Sequence, residues 1–113
     1  MEEIAKNVAR VRAAMAEAAR KAGRDPGEIL LCAASKMNDS ARVQAAVQAG
    51  VDCCGENRVQ ELMEKLPQGA YTGKPVHFIG HLQINKVNKV VGNVALIQSV
   101  DREELLQAIE KAA

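Results

Sequence analysis

The apolar residues of this chain follow two kinds of pattern that alternate along it. Within residues 2–22 they recur at spacings of three and four, which predicts an amphipathic helix with one apolar stripe. Residues 29–34 instead form a continuous apolar run, which begins after a turn at residues 25–27. A run of this kind is typical of a strand that is buried on both faces of a parallel sheet.

The same succession of helix and short apolar strand then repeats. The further predicted strands are residues 51–55, 76–80 and 94–98, and the further predicted helices are residues 40–48, 58–66, 83–91 and a segment capped by Asp101. Because strands and helices alternate with short connections, a parallel sheet with right-handed crossovers is the expected arrangement. We therefore predict an α/β fold of parallel βα repeats, in a single domain that covers residues 1–113.

The composition excludes several classes of protein. The net charge of +1 provides no long-range field that would attract nucleic acid or an anionic membrane. With one Tyr, one Phe and no Trp, stacking on bases is also disfavoured. The sequence shows no basic and apolar leader, and no apolar run approaches the roughly 20 residues that span a bilayer. We expect a cytoplasmic protein that binds neither nucleic acid nor membranes.

The three cysteines, Cys32, Cys53 and Cys54, all fall within predicted strands. Cys53 and Cys54 are adjacent and would point to opposite faces of their strand, which suits neither a shared metal nor an easy disulfide. We therefore expect buried, reduced thiols and no metal site.

Each predicted strand is followed by polar residues at its carboxyl end. These polar segments are Ser35-Lys36, Glu56-Asn57, His81 after Gly80, and Gln98-Ser99. In parallel α/β folds the carboxyl ends of the strands and the loops after them carry the chemistry. We expect a binding site along this edge, although the caps of the following helices would produce part of the same pattern.

Lys36 is the most informative of these residues, because it follows the first apolar strand almost directly. A lysine half-buried at a strand end would have a lowered pKa, since desolvation disfavours the ammonium. Its neutral amine is the group that forms a Schiff base with an aldehyde. The alternative is a lysine that extends from the strand end into water.

The other polar residues near the strand ends also have two interpretations each. Glu56 and Asn57 suit either hydrogen bonds to a ligand or a cap on the helix that follows. His77 lies within the third predicted strand, where a core histidine is the ordinary case, and His81 either faces the rim or caps the next helix. The chain has no Walker loop, dinucleotide fingerprint, zinc-protease motif or paired-cysteine metal motif.

Three segments of the chain resemble the pyridoxal phosphate homeostasis protein family. They are residues 31–36 (LCAASK), 55–61 (GENRVQE) and 77–86 (HFIGHLQINK), in the family's order and spacing. The resemblance implies a (β/α)8 TIM-like barrel of the alanine racemase type, of which this chain would form about the N-terminal half. It further implies that Lys36 holds pyridoxal 5′-phosphate as a Schiff base. The expected pocket residues are Asn57, Ile79, Gly80 and His81, none of them catalytic.

The resemblance also implies a function. Members of the family are cytosolic proteins without an established catalytic activity, which store or deliver the cofactor and keep vitamin B6 in balance. Their phosphate-binding elements lie in the second half of the barrel, so we expect this chain to bind the cofactor weakly. Because a complete barrel needs roughly 250 residues, we also expect two copies to associate and complete it if the half-barrel is the whole chain.

Two other functions stay open on the sequence. A half-barrel whose main property is self-association, or a truncated fragment, would need no ligand. A racemase-like enzyme would need a second acid or base beside Lys36, and the sequence offers no convincing candidate.

Overall fold

The structure, a computed structural model, describes residues 2–113. Within this range helices and strands alternate. The elements are α1 (Glu2–Lys21), β1 (Cys32–Ala34), α2 (Ser40–Gln48), β2 (Cys53–Glu56), α3 (Val59–Lys65), β3 (Val76–Phe78), α4 (Val87–Val90), β4 (Leu96–Ile97) and α5 (Glu103–Ala112). The four strands pair in parallel in their chain order, β1-β2-β3-β4. The predicted α/β fold of parallel βα repeats is therefore confirmed.

The side chains of this sheet alternate between two faces. The helix face packs against α2 to α5 and carries Cys54 and Phe78, both fully buried. The helices contribute to the same core through Val43, Val47, Leu62, Val87, Val90 and Leu105. The opposite face, which we call the open face, carries Cys32, Ala34, Cys53, His77 and Leu96, as the strand register requires. Ala34 and Leu96 are exposed there.

The strands are shorter than the apolar runs that predicted them. The first was predicted to begin at residue 29, but β1 begins at Cys32, and Leu30 is 67% exposed. The backbone N–H of Leu31 donates to the Asp52 carboxylate at 2.7 Å instead of to a neighbouring strand. The apolar run therefore predicted a longer strand than the one that pairs in the sheet.

Two helix predictions also need correction. The helix predicted at residues 83–91 is a 3₁₀ turn, Ile84–Lys86, followed by the short helix α4. The predicted cap of α5 at Asp101 is wrong, because Arg102 holds the N-cap position without a side-chain cap. The Asp101 carboxylate instead accepts a hydrogen bond from the Arg102 guanidinium at 2.7 Å.

α1 is attached to the rest of the fold through Arg12. Its guanidinium donates to the Gly50 carbonyl at 2.8 Å and to the Asp52 carboxylate at 2.6 Å. These contacts join α1 to the loop between α2 and β2. None of the helices within residues 2–113 is both long and apolar enough to cross a membrane.

Candidate functional site

Lys36 lies at the carboxyl edge of the sheet, one residue beyond Ser35 and two beyond the end of β1. The predicted position at the strand end is therefore correct. The predicted half-burial is wrong, because Lys36 is exposed. Its amine is consequently accessible to a ligand arriving from solvent.

The backbone before Lys36 is held in place by two other elements. Ser35 extends the β1 ladder, since its N–H donates to the Gly55 carbonyl at 2.9 Å. The Ser35 carbonyl accepts a hydrogen bond from the Lys65 ammonium at 2.8 Å. Lys65 lies at the end of α3 and is only 5% exposed. A buried cation on α3 therefore fixes the residue that precedes Lys36.

The backbone after Lys36 is held from the same helix. The Met37 N–H donates to Glu61 Oε1 at 3.0 Å, and Glu61 in turn accepts from Lys65 at 3.4 Å. Met37 has a φ of 64°, a left-handed conformation that a non-glycine residue adopts at some cost. The hydrogen bond that the Met37 N–H donates to the Glu61 carboxylate stabilises this turn. Lys36 thus stands between two residues that α3 holds by hydrogen bonds.

Glu56 is the centre of the buried part of this arrangement. Its side chain is fully buried, and its Oε2 accepts from Ser35 Oγ at 2.7 Å, Lys65 Nζ at 2.9 Å and Tyr71 OH at 2.8 Å. Its Oε1 has no hydrogen-bond partner among the described residues. The interpretation of Glu56 as a helix cap is wrong, because Arg58 holds the N-cap position of α3. Glu56 instead organises the buried side of the site.

The charges in this network shift the pKa values of its members. Burial, and then the hydrogen bond to Glu56, raise the pKa of Tyr71 far above its ordinary value, so the phenol stays a donor. Partial burial opposes ionisation of Glu61, but the Met37 N–H and the Lys65 ammonium outweigh it and lower the pKa of Glu61. Lys65 therefore sits between two carboxylates, which offset the cost of burying its charge.

Asn57 and Gly80 bring the ends of β2 and β3 together. A Cβ placed on Gly80 would lie 2.3 Å from the Asn57 carbonyl oxygen, so only glycine permits this approach. Asn57 Oδ1 is buried and has no hydrogen-bond partner among residues 2–113. As with Glu56, its interpretation as a helix cap is wrong. An unpaired buried acceptor at this edge is suited to a ligand that donates a hydrogen.

The remaining predicted pocket residues, Ile79 and His81, lie at the same edge. Ile79 is half-buried, and its side chain occupies the space above Gly55, where a Cβ would lie 2.7 Å from Ile79 Cδ1. His81 is exposed and, with Asn57, lines a cavity of about 240 Å³. Arg58 and Lys86 line the same cavity. The structure thus brings Asn57, Gly80 and His81 together, whereas Lys36 does not line this cavity.

The residues at this edge fit an aldehyde ligand. Lys36 offers an accessible amine, and Asn57 offers a buried acceptor that no described residue satisfies. Sequence reasoning missed Lys65 and Glu61, which hold the neighbours of Lys36, and Tyr71, which donates to Glu56. The spacing of Glu61 and Lys65 at i and i+4 was the one available signal, and it is equally typical of a solvated helix face.

The chain is similar to curated proteins, although no family model matches it. The pyridoxal phosphate homeostasis protein of Pseudomonas aeruginosa is 39% identical over 111 residues, which cover 98% of this chain and 48% of that protein. The protein of the same name from Escherichia coli K12 is 39% identical over 105 residues, 90% of this chain and 45% of that protein. The chain spans about half the length of the curated relatives it matches.

Solved structures also match nearly all of this chain and cover it with about half of their own length. An unknown protein from Bifidobacterium adolescentis superposes with a TM-score of 0.88 at 37% identity, over 97% of this chain and 49% of that one. PipY of Synechococcus elongatus, solved with PLP bound, superposes with a TM-score of 0.80 at 31% identity, over 96% of this chain and 47% of that one. The resemblance found in the sequence is therefore confirmed: over nearly all of its length, the chain is homologous to about half of a pyridoxal phosphate homeostasis protein.

Proposed function

We propose that this chain contributes to a pyridoxal 5′-phosphate site in which Lys36 holds the cofactor as a Schiff base, and that it serves vitamin B6 homeostasis. The observation that carries the proposal is the exposed Lys36, whose neighbours Ser35 and Met37 are both held by side chains of α3. A surface lysine that binds no ligand would not need hydrogen bonds that fix both of its neighbours in the chain. The name of the curated relatives and the PLP in PipY indicate the ligand.

Each residue has a distinct part in this proposal. The Lys36 amine would hold the cofactor by condensing with its aldehyde, a reaction that would release one water. Asn57 Oδ1 accepts a hydrogen bond from a donor group of the ligand, which gives this buried oxygen the partner that it lacks. Gly80 keeps Asn57 in place because no side chain separates the two backbones. Ile79 and His81 lie at the same edge of the sheet and are proposed to contact the cofactor there.

We propose binding and delivery rather than catalysis. The buried carboxylate beside the site, Glu56, is engaged by Lys65 and Tyr71 on one oxygen, and the raised pKa of Tyr71 keeps that phenol protonated. The phenol is therefore not available as a base, and the Glu56 carboxylate, which is fully buried, is out of reach of a substrate. The three cysteines are free thiols, which suits a reducing compartment such as the cytoplasm. We also expect these 113 residues to bind the cofactor more weakly than a full-length relative, because they contain no serine-rich phosphate loop.

The proposal is tested by trapping the cofactor on the protein. Pyridoxal phosphate is added to the purified chain, imine absorbance is followed, and the adduct is reduced with borohydride and located by peptide mass spectrometry. The expected result is an adduct at Lys36 that Lys36→Ala abolishes. Lys89→Ala is the matched control, because Lys89 is also exposed but lies on α4. An adduct spread evenly over surface lysines, or none at Lys36, would contradict the proposal.

A second candidate function is self-association, and a specific surface favours it. Beside the edge strand β4 lies an apolar groove of about 280 Å³, and three residues that line it are substantially exposed: Leu96 at 51%, Val100 at 40% and Leu106 at 49%. Edge strands with exposed apolar neighbours promote pairing with another chain. We propose a second copy of this chain as the occupant, because a second copy supplies the number of strands that a closed eight-stranded barrel requires.

Sedimentation analysis tests this second candidate. We expect a dimer that Leu96→Glu and Leu106→Glu dissociate, while Ile84→Glu, a control at an exposed apolar position on the 3₁₀ turn, leaves it intact. A chain that stays monomeric at all concentrations tested would refute self-association and leave the cofactor proposal unaffected.

A further inference from the structure

A second group of chemically reactive side chains lies on the open face, away from Lys36. Cys32 is the first residue of β1, Cys53 the first of β2, and His77 the middle residue of β3. Cys32 and Cys53 are paired in the sheet register, and His77 pairs with Gly55, two residues beyond Cys53. One sulfur or nitrogen atom from each of the three residues lies within 4.8 Å of the corresponding atoms of the others.

We infer that Cys32, Cys53 and His77 form a zinc-binding site of the Cys2His type, with the fourth position open to water or another ligand. Two thiolates and an imidazole are the donors that Zn²⁺ prefers, and Mg²⁺ or Ca²⁺ would need oxygen ligands that this group does not offer. Three protein ligands and one open position make an exchangeable site rather than a closed structural one.

The distances between the ligand atoms are close to those that zinc requires. Zinc–sulfur bonds of roughly 2.3 Å and zinc–nitrogen bonds of about 2.0 Å place tetrahedral ligand atoms about 3.5–3.8 Å apart. Cys53 Sγ and His77 Nδ1 are 4.0 Å apart, and all three atoms lie within 4.8 Å. Small side-chain rotations therefore suffice to bring the ligands to a metal, since the strands already fix their backbones.

The surroundings of the group permit a metal to enter. Cys53 is buried, but Cys32 and His77 are half-exposed on the open face. The Gln98 amide contacts His77 Nδ1 at 2.7 Å, and Gln98 is itself exposed. Zinc binding at Nδ1 would displace this amide, which can then hydrogen-bond to water or to the ligand in the fourth position.

This site is independent of the proposed cofactor site. Lys36 follows Cys32 by four residues and lies beyond the other end of β1, which at the rise of a strand is about 13 Å away. The two sites therefore share a strand but no side chain, and either can be present without the other.

Cobalt is the probe for this inference, because Co²⁺ occupies zinc sites and reports thiolate ligands through its absorption. Co²⁺ is titrated into the reduced, purified chain without pyridoxal phosphate, and Zn²⁺ is then added. We expect a sulfur-to-cobalt charge-transfer band that saturates at one equivalent and disappears when Zn²⁺ displaces the cobalt. Zinc affinity is measured by competition with a chromophoric chelator.

The substitutions Cys32→Ser, Cys53→Ser and His77→Gln should each lower zinc affinity. The loss should be at least the roughly 10–100-fold that follows the removal of a residue that only hydrogen-bonds to a ligand. Cys54→Ala is the matched control, because Cys54 adjoins Cys53 but faces the core from the other side of the sheet. Lys36→Ala should also retain the cobalt band. Circular dichroism verifies that each variant is folded, and wild-type protein should gain thermal stability on adding Zn²⁺.

Several results would overturn the inference. A cobalt band that survives in both cysteine variants, or one that Cys54→Ala removes, would exclude the proposed ligand set. Binding of Cu⁺ without binding of Co²⁺ or Zn²⁺ would exclude zinc. If two of the three thiols of the purified chain become reactive only after reduction, Cys32 and Cys53 form a disulfide rather than a metal site.

Discussion

The Lys65 ammonium donates a hydrogen bond to the Ser35 carbonyl over 2.8 Å, and so joins the end of α3 to the residue that precedes Lys36. The same ammonium pairs with the buried Glu56 at 2.9 Å and with Glu61 at 3.4 Å. Because Glu61 also accepts from the Met37 N–H, α3 holds both sides of Lys36.

Replacing Lys65 with methionine should destabilise the fold strongly. The substitution keeps a similar volume but leaves the Glu56 carboxylate buried without its cation, and breaking a buried pair in this way costs about 3–5 kcal/mol. The free energy of unfolding in urea measures the loss. Because neutralising the partner removes the unpaired charge, the double variant Lys65→Met, Glu56→Gln should recover part of it. A single variant with wild-type stability would show that the ion pair contributes nothing.

Because of Glu61, the free energy of unfolding should fall as the pH is lowered through the acid range. Its pKa is lowered in the folded state, so its contribution is fully present above the unfolded value of about 4.3 and is lost as pH falls through the folded pKa. Unfolding free energies of the wild type and Glu61→Gln, measured against pH, should therefore differ near neutrality and converge in acid. Glu64→Gln is the control, because Glu64 is exposed on the same helix. If the unfolding free energies of wild type and Glu61→Gln differed by the same amount at every pH, the pKa of Glu61 would not be lowered in the folded state.

Adding a methyl group at Gly80 should disturb the contact with Asn57. The Cβ of Gly80→Ala would lie 2.3 Å from the Asn57 carbonyl oxygen, and such overpacking typically costs about 1–3 kcal/mol. Thermal unfolding measures the cost, and the yield of borohydride-trapped pyridoxal phosphate should also fall. Gly27→Ala is a fair comparison, because its Cβ would meet the Asp25 carboxylate only at 3.4 Å. If both variants were equally stable, the backbones at Asn57 and Gly80 would be able to move apart without cost.

Tyr71 should not ionise before the protein unfolds in alkali. Burial and the hydrogen bond to Glu56 raise its pKa, so its stabilisation is complete below the unfolded value of about 10 and is lost as pH rises above it. Tyr71 is the only tyrosine of the chain, so phenolate absorbance reports it alone. The absorbance should rise together with loss of the circular dichroism signal. A rise while the chain is still folded would show that Tyr71 is accessible.

The alternation of elements, and the position of the candidate site residues after the strands, were predictable from the sequence. Unbroken apolar runs between helical segments indicate parallel strands, and Lys36, Asn57 and His81 follow strands in the sequence as they do in the structure. The proposal that Lys36 binds a ligand needed the family resemblance, because its chemistry alone also fits a solvated strand end.

The network behind Lys36 was not predictable, because burial of a charge depends on partners far along the chain. Lys65 is 30 residues from Ser35, and nothing in its own segment distinguishes it from a surface lysine. The three residues that we propose as zinc ligands were not grouped together from the sequence, for a related reason. The sequence correctly indicates that the adjacent Cys53 and Cys54 point to opposite faces of the sheet. It does not give the register of β1 and β2, which places Cys32 beside Cys53.

The hydrogen bonds from α3 to Ser35 and Met37 also couple ligand binding to local unfolding. If α3 opens, the turn around Lys36 loses both supports, and a ligand held there must dissociate or resist the opening. Occupancy at Lys36 should therefore slow amide hydrogen exchange throughout Val59–Lys65, a helix that supplies no proposed ligand-binding side chain. In this protein, the exchange rate of one short helix would report how much cofactor is bound.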